Sequence, residues 1–183
     1  MQLVGKRIVL IPITKNEKDE FRDLVTKSYA SKYWYGDKGD RRTREEFFKY
    51  WHEGFFDQDK SEKGQCYWIV EGGIRIGEIN YNEIYEKDKK VEIDILIGDK
   101  ENLGHRYGVD AIKTLAKYLF SKFDLNKIWV EVRAFNIFAI RAFEKVGFRQ
   151  EGLLREEEFF NDKFIDCVRL GLLNREFTHP RGS

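Results

Sequence analysis

The chain has 183 residues, with 33 basic and 32 acidic side chains and a formal net charge of +1. This length fits one domain, and 42% hydrophobic with 15% aromatic residues is too much apolar bulk for a disordered chain, despite 36% charged residues. The even charge balance argues against a dedicated nucleic-acid binder, and no apolar run approaches the ~20 residues of a membrane span, so neither nucleic acid nor membrane is an expected partner.

Residues 7–13 are rich in Ile, Val and Leu and read as a first strand. Residues 16–27 carry Phe21, Leu24 and Val25 at helical spacing. Residues 31–40 are aromatic and Gly-containing, which predicts a loop. Thr43 begins a helix with Glu45 and Glu46 in its first turn and Phe47, Phe48, Trp51 and Phe55 along one stripe. The period then changes to two. Residues 66–71 form a strand, Gly72-Gly73 a tight turn, and residues 74–84 its hairpin partner. After a charged turn over 86–90, residues 91–97 close a meander.

Residues 98–108 form a loop with Gly98, Gly104 and Gly108. Val109, Ile112, Ala116, Leu119 and Phe123 then line one face of a helix, and 128–132 is a strand. Asn136 caps a helix carrying Phe138, Ala139, Ala142, Phe143 and Val146, and Gly147 ends it. Two last strands, 148–159 and 163–173, flank Asn161-Asp162. The fold class that covers every segment is α+β, a mixed, largely antiparallel sheet of about seven strands with flanking helices.

Cys66 and Cys167 lie far apart with no metal-like spacing, and residues 1–7 do not read as a secretory signal. Two buried thiols in a reducing cytoplasm are expected. His52, His105 and His179 are too scattered for a metal site, and none is expected. Residues 179–183 read as a disordered tail or the remnant of an engineered protease site, leaving 1–178 as the domain.

The informative segment is the strand, Gly-containing loop and amphipathic helix over 91–123. Such a loop feeds backbone N–H groups into a helix N-terminus, where the dipole favours phosphate. A nucleotide P-loop needs Gly-Lys-Ser/Thr at the helix start, and Gly104-His105-Arg106-Tyr107-Gly108 lacks it. A dinucleotide fold needs a Gly fingerprint in a parallel βαβ unit, and the preceding strands read as antiparallel. The pyrophosphate of coenzyme A and a plain strand-to-helix turn with no ligand both remain; glycine spacing alone does not separate them.

Two stretches resemble a known family. Residues 92–98, Glu-Ile-Asp-Ile-Leu-Ile-Gly, followed by Leu103-Gly104-His105-Arg106-Tyr107-Gly108, are similar to the strand and pyrophosphate loop of the GCN5-related N-acetyltransferases (GNAT), with their Arg/Gln-x-x-Gly-x-Gly/Ala pattern. Residues 136–148, from Asn136 through Ala139, Phe143-Glu144-Lys145 and Gly147-Phe148, are similar to the family's Asn-x-x-Ala-x-x-x-Tyr/Phe-Glu-Lys-x-Gly-Phe helix. Gln150-Glu151-Gly152 and Leu154-Arg155-Glu156 resemble the branch of ribosomal-protein alanine, diamine and aminoglycoside 6'-N-acetyltransferases. Three positions depart from the family: Leu103 stands for the Arg/Gln, Arg106 for the middle Gly, and Phe143 for a Tyr that protonates the thiolate.

The resemblance implies an acetyl-CoA-dependent N-acetyltransferase with the cofactor wedged between two splayed parallel strands, 91–97 and 128–132. Ile95, Leu96 and Ile97 would pair with the pantetheine arm. Leu103, Gly104, His105, Arg106, Tyr107 and Gly108 would hold the pyrophosphate, and Asn136 would reach the pantetheine or support the cleft. Strand alternation puts Glu92, Asp94 and Leu96 on one face. Asp94 is the first candidate for the base that deprotonates the amine, and Glu92 the second; a solvated strand face is the plain alternative. Backbone N–H near Ile95 or Leu96 would stabilise the oxyanion. Water or Tyr107 would replace the missing Tyr as acid, or the thiolate leaves unassisted.

Trp34, Tyr35, Asp37 and Asp40 would bind substrate, aromatic and acidic groups suiting a polyamine or amino-sugar. Trp51 reads more as packing. Glu156, Glu157 and Glu158 read as a solvated edge or an amine-binding mouth. The expected acceptor is a primary amine of a small polycation, an aminoglycoside or polyamine. Alternatives are the N-terminus of a ribosomal or other protein, or a non-catalytic CoA-binding module, which Leu103, Arg106 and Phe143 would favour. A monomer or homodimer is expected.

Overall fold

The computed structural model describes residues 1–178; the tail read over 179–183, His179 included, lies outside the described residues. The strands are β1 (Leu3–Val4), β2 (Val9–Pro12), β3 (Gln65–Glu71), β4 (Ile74–Tyr81), β5 (Lys90–Ile97), β6 (Lys127–Arg133), β7 (Arg149–Phe160) and β8 (Lys163–Leu173). They form one sheet in the order β1-β2-β3-β4-β5-β6-β8-β7. Every pairing is antiparallel except β5 with β6, which is parallel. This is the largely antiparallel α+β sheet that the sequence predicts, with the two-residue β1 added at its edge.

Turn chemistry sets the hairpins. Gly72 and Gly73 join β3 to β4 with φ of 54° and 84°, and Asn161 and Asp162 join β7 to β8 with φ of 48° and 62°. Two successive residues at positive φ match the right-handed strand twist, and Gly, Asn and Asp tolerate it best.

The helices are α1 (Lys18–Lys27), α2 (Lys32–Tyr35), α3 (Arg44–Tyr50), α4 (Tyr107–Lys122), α5 (Ile137–Val146) and α6 (Asn174–Thr178). α3 begins on a capping box: Thr43 Oγ1 accepts from Glu46 N, and Thr43 N donates to Glu46 Oε2. Asn136 Oδ1 accepts from Ala139 N at 3.3 Å, and Gly147 ends α5 at a φ of 113°. On one sheet face, Ala111, Ile112, Leu115, Ala116 and Leu119 of α4 pack with Val91, Ile93, Ile128 and Val130. On the other, Phe21 and Val25 of α1 and Phe47 of α3 pack with Trp51, Phe55, Phe56, Cys66 and Trp68.

Two local expectations change. The loop over 31–40 contains the helical turn α2, because Trp34 stacks on Trp51 at 5.9 Å and draws the segment inward. The aromatic stripe from Thr43 is not one helix: α3 stops at Tyr50, and Phe55 lies in a separate 3-10 turn, Glu53–Phe56. The apolar spacing survives because Phe21 gathers Phe47, Trp51 and Phe56 around it, edge-on to Trp51 at 4.9 Å. No helix among the described residues is long and apolar enough to cross a membrane.

Candidate active site

β5 and β6 pair only from Lys90 with Lys127 to Glu92 with Trp129. Beyond that point β5 stays on β4 through Ile97, and β6 stays on β8 through Arg133. The strands therefore splay, and the residues of β5 beyond Glu92 present backbone groups to the gap that β6 no longer satisfies. Two cavities open from this wedge. One of about 350 Å³ is lined by Ile95, Leu96, Ile97, the loop before α4 and one face of α5. The other, of about 500 Å³, is lined by Glu92, Asp94, Glu131, Arg133, Glu158, the aromatics of α2, and Tyr50 and Trp51 at the end of α3. They meet at Tyr33, Trp34, Ile95, Asn136 and Ala139, which line both.

The smaller cavity suits a phosphate-bearing, elongated ligand. Leu103, Gly104, Arg106, Tyr107 and Gly108 line its mouth. The backbone bond from Asp110 N to Arg106 O, 3.0 Å, opens α4, so the N–H groups just before it have no carbonyl one turn back and can bind an anion. Arg106 adopts φ 66°, ψ 15°, the left-handed conformation that glycine takes at no cost and other residues at about 1–2 kcal/mol. The loop thus keeps the backbone shape of a glycine motif while carrying a guanidinium. A Cβ on Gly108 would meet Ile95 Cδ1 at 3.7 Å and Ile97 Cγ1 at 3.8 Å, so the helix start faces β5 with room for a methyl group between them. Asp110 anchors this region from behind, accepting backbone N–H groups of Lys6, Arg7 and Ile8 at 3.1, 2.6 and 3.2 Å. Arg141 and Lys145 of α5 line the far side and add positive charge.

The larger cavity is acidic. Four carboxylates (Glu92, Asp94, Glu131 and Glu158) and two guanidiniums (Arg42 and Arg133) line it. Burial, with Glu92 beside it, pushes the Asp94 carboxyl up to about 7, and Arg133 opposes the rise. Burial also raises Glu92, against a hydrogen bond from Asn82 Nδ2 at 3.0 Å. Arg133 grips Glu158 at 2.7 Å and donates to the carbonyl of Tyr33. Arg42 pairs with Asp40 through two bonds of 2.8 and 3.0 Å and lies over Tyr35 and Tyr50. Tyr35 is pushed up to about 12, chiefly by burial, so it stays a neutral phenol. A carboxyl poised near 7 beside an apolar wedge can take a proton from an ammonium.

Residues 7–149 match the acetyltransferase (GNAT) domain. The chain belongs to the GNAT acetyltransferase family. Its relatives include a spermidine N(1)-acetyltransferase of Vibrio cholerae, 30% identical over 127 residues, 68% of this chain and 73% of that one. A putative ribosomal N-acetyltransferase of Bacillus subtilis, YdaF, is 28% identical over 134 residues, 73% of this chain and 70% of that one. The solved spermidine N-acetyltransferase from Vibrio cholerae in complex with CoA and spermine superposes with a TM-score of 0.79 at 21% identity, covering 96% of this chain and all of that one. The chain is an acetyl-CoA-dependent N-acetyltransferase with the GNAT fold.

In this GNAT protein the wedge brings together Glu92, Asp94, Ile95, Leu96, Ile97, Leu103, Gly104, Arg106, Tyr107, Gly108, Asn136, Trp34 and Tyr35. Three predicted residues stand apart from both cavities. The exposed His105 stacks on Tyr107 at 5.5 Å, and its carbonyl accepts from Arg7. Asp37 is exposed and reciprocally bonded to Asn161, while Asp40 is occupied by Arg42. Trp51 and Phe143 do both jobs: each is buried core and cavity wall.

Sequence reading missed Arg42, Asn82, Glu131 and Arg133 as cavity residues. For Glu131 and Arg133 a signal existed: the period of two along β6 puts Trp129, Glu131 and Arg133 on one face. Of the acidic run, Glu158 lines the cavity while Glu156 and Glu157 are exposed. A bulge decides this. Leu154 faces Cys167 and Glu158 faces Ile165, so β7 carries two extra residues there, with Glu156 at a φ of 53°.

Proposed function

We propose that this enzyme acetylates a primary amine of a small polycation, a polyamine in the first place. The observation that carries the reading is the junction of two unlike cavities at Ile95: an anion-binding one ending in the α4 N-terminus, and an acidic one with four carboxylates. Acetyl-CoA fits the first. Its pyrophosphate would lie on backbone N–H groups near Arg106 to Gly108, its pantetheine along Ile95, Leu96 and Ile97, and its thioester at the junction beside Asn136. The amine would enter the second, where Asp94 accepts its proton and Glu92 holds its charge. Trp34 and Tyr35 would cover the alkyl chain. Backbone N–H near Ile95 or Leu96 would stabilise the oxyanion. Relatives named as spermidine acetyltransferases support a polyamine over an aminoglycoside.

The free, buried thiols of Cys66 and Cys167 support a reducing cytoplasm. Acetyl transfer measured on spermidine, an aminoglycoside and a peptide N-terminus tests the reading. Turnover is expected on spermidine first. Preference for the peptide would transfer the role to protein N-termini, and CoA binding without turnover on any amine would leave a binding module.

A further inference from the structure

Behind the acidic wall, β4 carries two fully buried polar side chains, Glu78 and Asn80. Register fixes their neighbours. Asn80 lies opposite Asp94 on β5 and Cys66 on β3, and Glu78 lies opposite Leu96 and Trp68. Residues two apart on a strand share a face, so Glu78, Asn80 and, across the ladder, Asp94 stand in one row. Asn80 Nδ2 donates to the two oxygens of Glu78 at 3.4 and 3.2 Å. Asn80 Oδ1 is buried without a hydrogen-bond partner. The titratable and charged groups facing the row are Cys66 from β3, Glu92 from β5, Glu131 and Arg133 from β6, and Tyr50 from α3. Arg133 already serves Glu158, and Glu78 has no ion pair among the described residues.

A carboxyl enclosed in this way keeps its proton, and burial pushes Glu78 well above the usual carboxylate range. A neutral carboxyl is a donor, and Asn80 Oδ1 is an acceptor that lacks one. A half-turn of the Asn80 amide joins the two. Glu78 O–H then donates to Oδ1, and Nδ2 turns to the other side, where directly opposed strand neighbours have Cβ atoms ~5 Å apart. There it can donate to Asp94, its register partner.

We propose that Glu78 is a positioning residue for acetyl transfer, acting through Asn80 to hold one oxygen of Asp94 and leave the other facing the amine. The proposal rests on Asp94 being the proton acceptor. No proton leaves Glu78 during turnover.

Three variants and one spectrum test it. Glu78→Leu and Asn80→Leu remove the donor chain at similar volume. Loss of a donor favours protonated Asp94, so the acid limb of kcat/KM moves up by about one pH unit and the rate at pH 7 falls about fivefold, with KM for acetyl-CoA unchanged. Glu78→Gln keeps an N–H for Asn80 Oδ1 and restores the wild-type limb. The infrared difference between wild type and Glu78→Gln at neutral pH contains the carbonyl band of a protonated carboxyl. An unmoved limb in both Leu variants overturns the proposal, as does a Gln variant as impaired as the Leu one. Should the Leu variants not fold, absence of the infrared band overturns it and presence supports it. Asp94→Asn, run alongside, separates the two levels. If it leaves rate and pH profile intact, the base assignment itself fails; if it abolishes turnover while the Leu variants behave as wild type, only the role of Glu78 is lost.

Discussion

Replacing Asp94 with Asn separates what burial costs the fold from what it gives the reaction. The carboxyl titrates at about 7 in the folded protein against an ordinary 3.8. A raised folded-state value means that the folded protein holds this proton more tightly than the unfolded chain does. The stability from this group is full below the unfolded value of 3.8 and is lost as pH rises to about 7. At about 1.4 kcal/mol per pH unit the three-unit gap sets an upper bound of about 4 kcal/mol, and contact with cavity water reduces it to about 2 kcal/mol. Asn carries no charge to bury. Asp94→Asn is therefore expected to match wild type in urea unfolding near pH 4 and to exceed it by about 2 kcal/mol near pH 8, a midpoint rise of about 1 M urea. The difference between the proteins is the informative quantity, because the other buried carboxyls add the same kind of pH dependence to both. Acetyl transfer should fall by about 10²–10⁴ at the same time, the usual worth of a general base. A stability difference that does not vary with pH, or a less stable variant near pH 8, would refute the reasoning from burial.

Two further predictions probe the wedge and its cover. A Cβ on Gly77 would sit 2.3 Å from Leu96 O and 3.1 Å from Ile97 Cα, so Gly77→Ala should push β5 aside, cost about 1–3 kcal/mol and raise KM for acetyl-CoA. Gly108→Ala makes only ordinary contacts and should leave the melting temperature unchanged, which thermal unfolding of the pair checks. The segment over the acidic cavity is latched by the β7–β8 turn, where Asn161 bonds Asp37 N at 2.9 Å and Asp37 Oδ2 at 3.0 Å. Asn161→Ala should loosen it, raising KM for the amine about fivefold, the equivalent of about 1 kcal/mol, with KM for acetyl-CoA unchanged. A parallel rise in both constants would mean that the latch supports the whole fold.

The fold was legible because local chemistry and period agreed along most of the chain. Gly72-Gly73 and Asn161-Asp162 marked their turns, Asn136 and Gly147 bounded α5, and the period of two gave the strands. The α2 turn was not legible, because Trp34 is held by Trp51, a contact that no local pattern encodes. The site divides the same way. Glu92 and Asp94 could be placed on one face of one strand, since alternation is a local rule. Asp37 could not be assigned, because its partner Asn161 is 124 residues away. Glu158 needed knowledge of a bulge, and the Arg106 departure from the glycine motif needed its dihedral angles.

For an amine in the larger cavity, the surrounding carboxylates would pose a conflict that the charge pairing resolves. An alkylammonium has an ordinary pKa of about 10.4, and each carboxylate nearby raises it further. Transfer to an ordinary Asp at 3.8 spans about 6.6 units; transfer to Asp94 at about 7 spans about 3.4, a saving of about 4 kcal/mol. That saving would be consumed if every acidic group in the cavity acted on the amine with its full charge. Glu131 is bound by Arg169 and Glu158 by Arg133, so each presents a neutral pair. Glu92 has Asn82 instead and no ion pair among the described residues. The attraction for a cation is thus concentrated at Glu92, beside Asp94. Removing a neutral pair should therefore matter little. Glu131→Gln together with Arg169→Gln is expected to change KM for spermidine less than about threefold, whereas Glu92→Gln alone raises it tenfold or more, roughly the loss of one charged hydrogen bond. The Glu92→Gln defect should also shrink with added salt less than a surface effect would, because the group is half-buried. Equal effects from the double and the single variant would mean that the cavity attracts the amine by its total charge and not through one unpaired carboxylate.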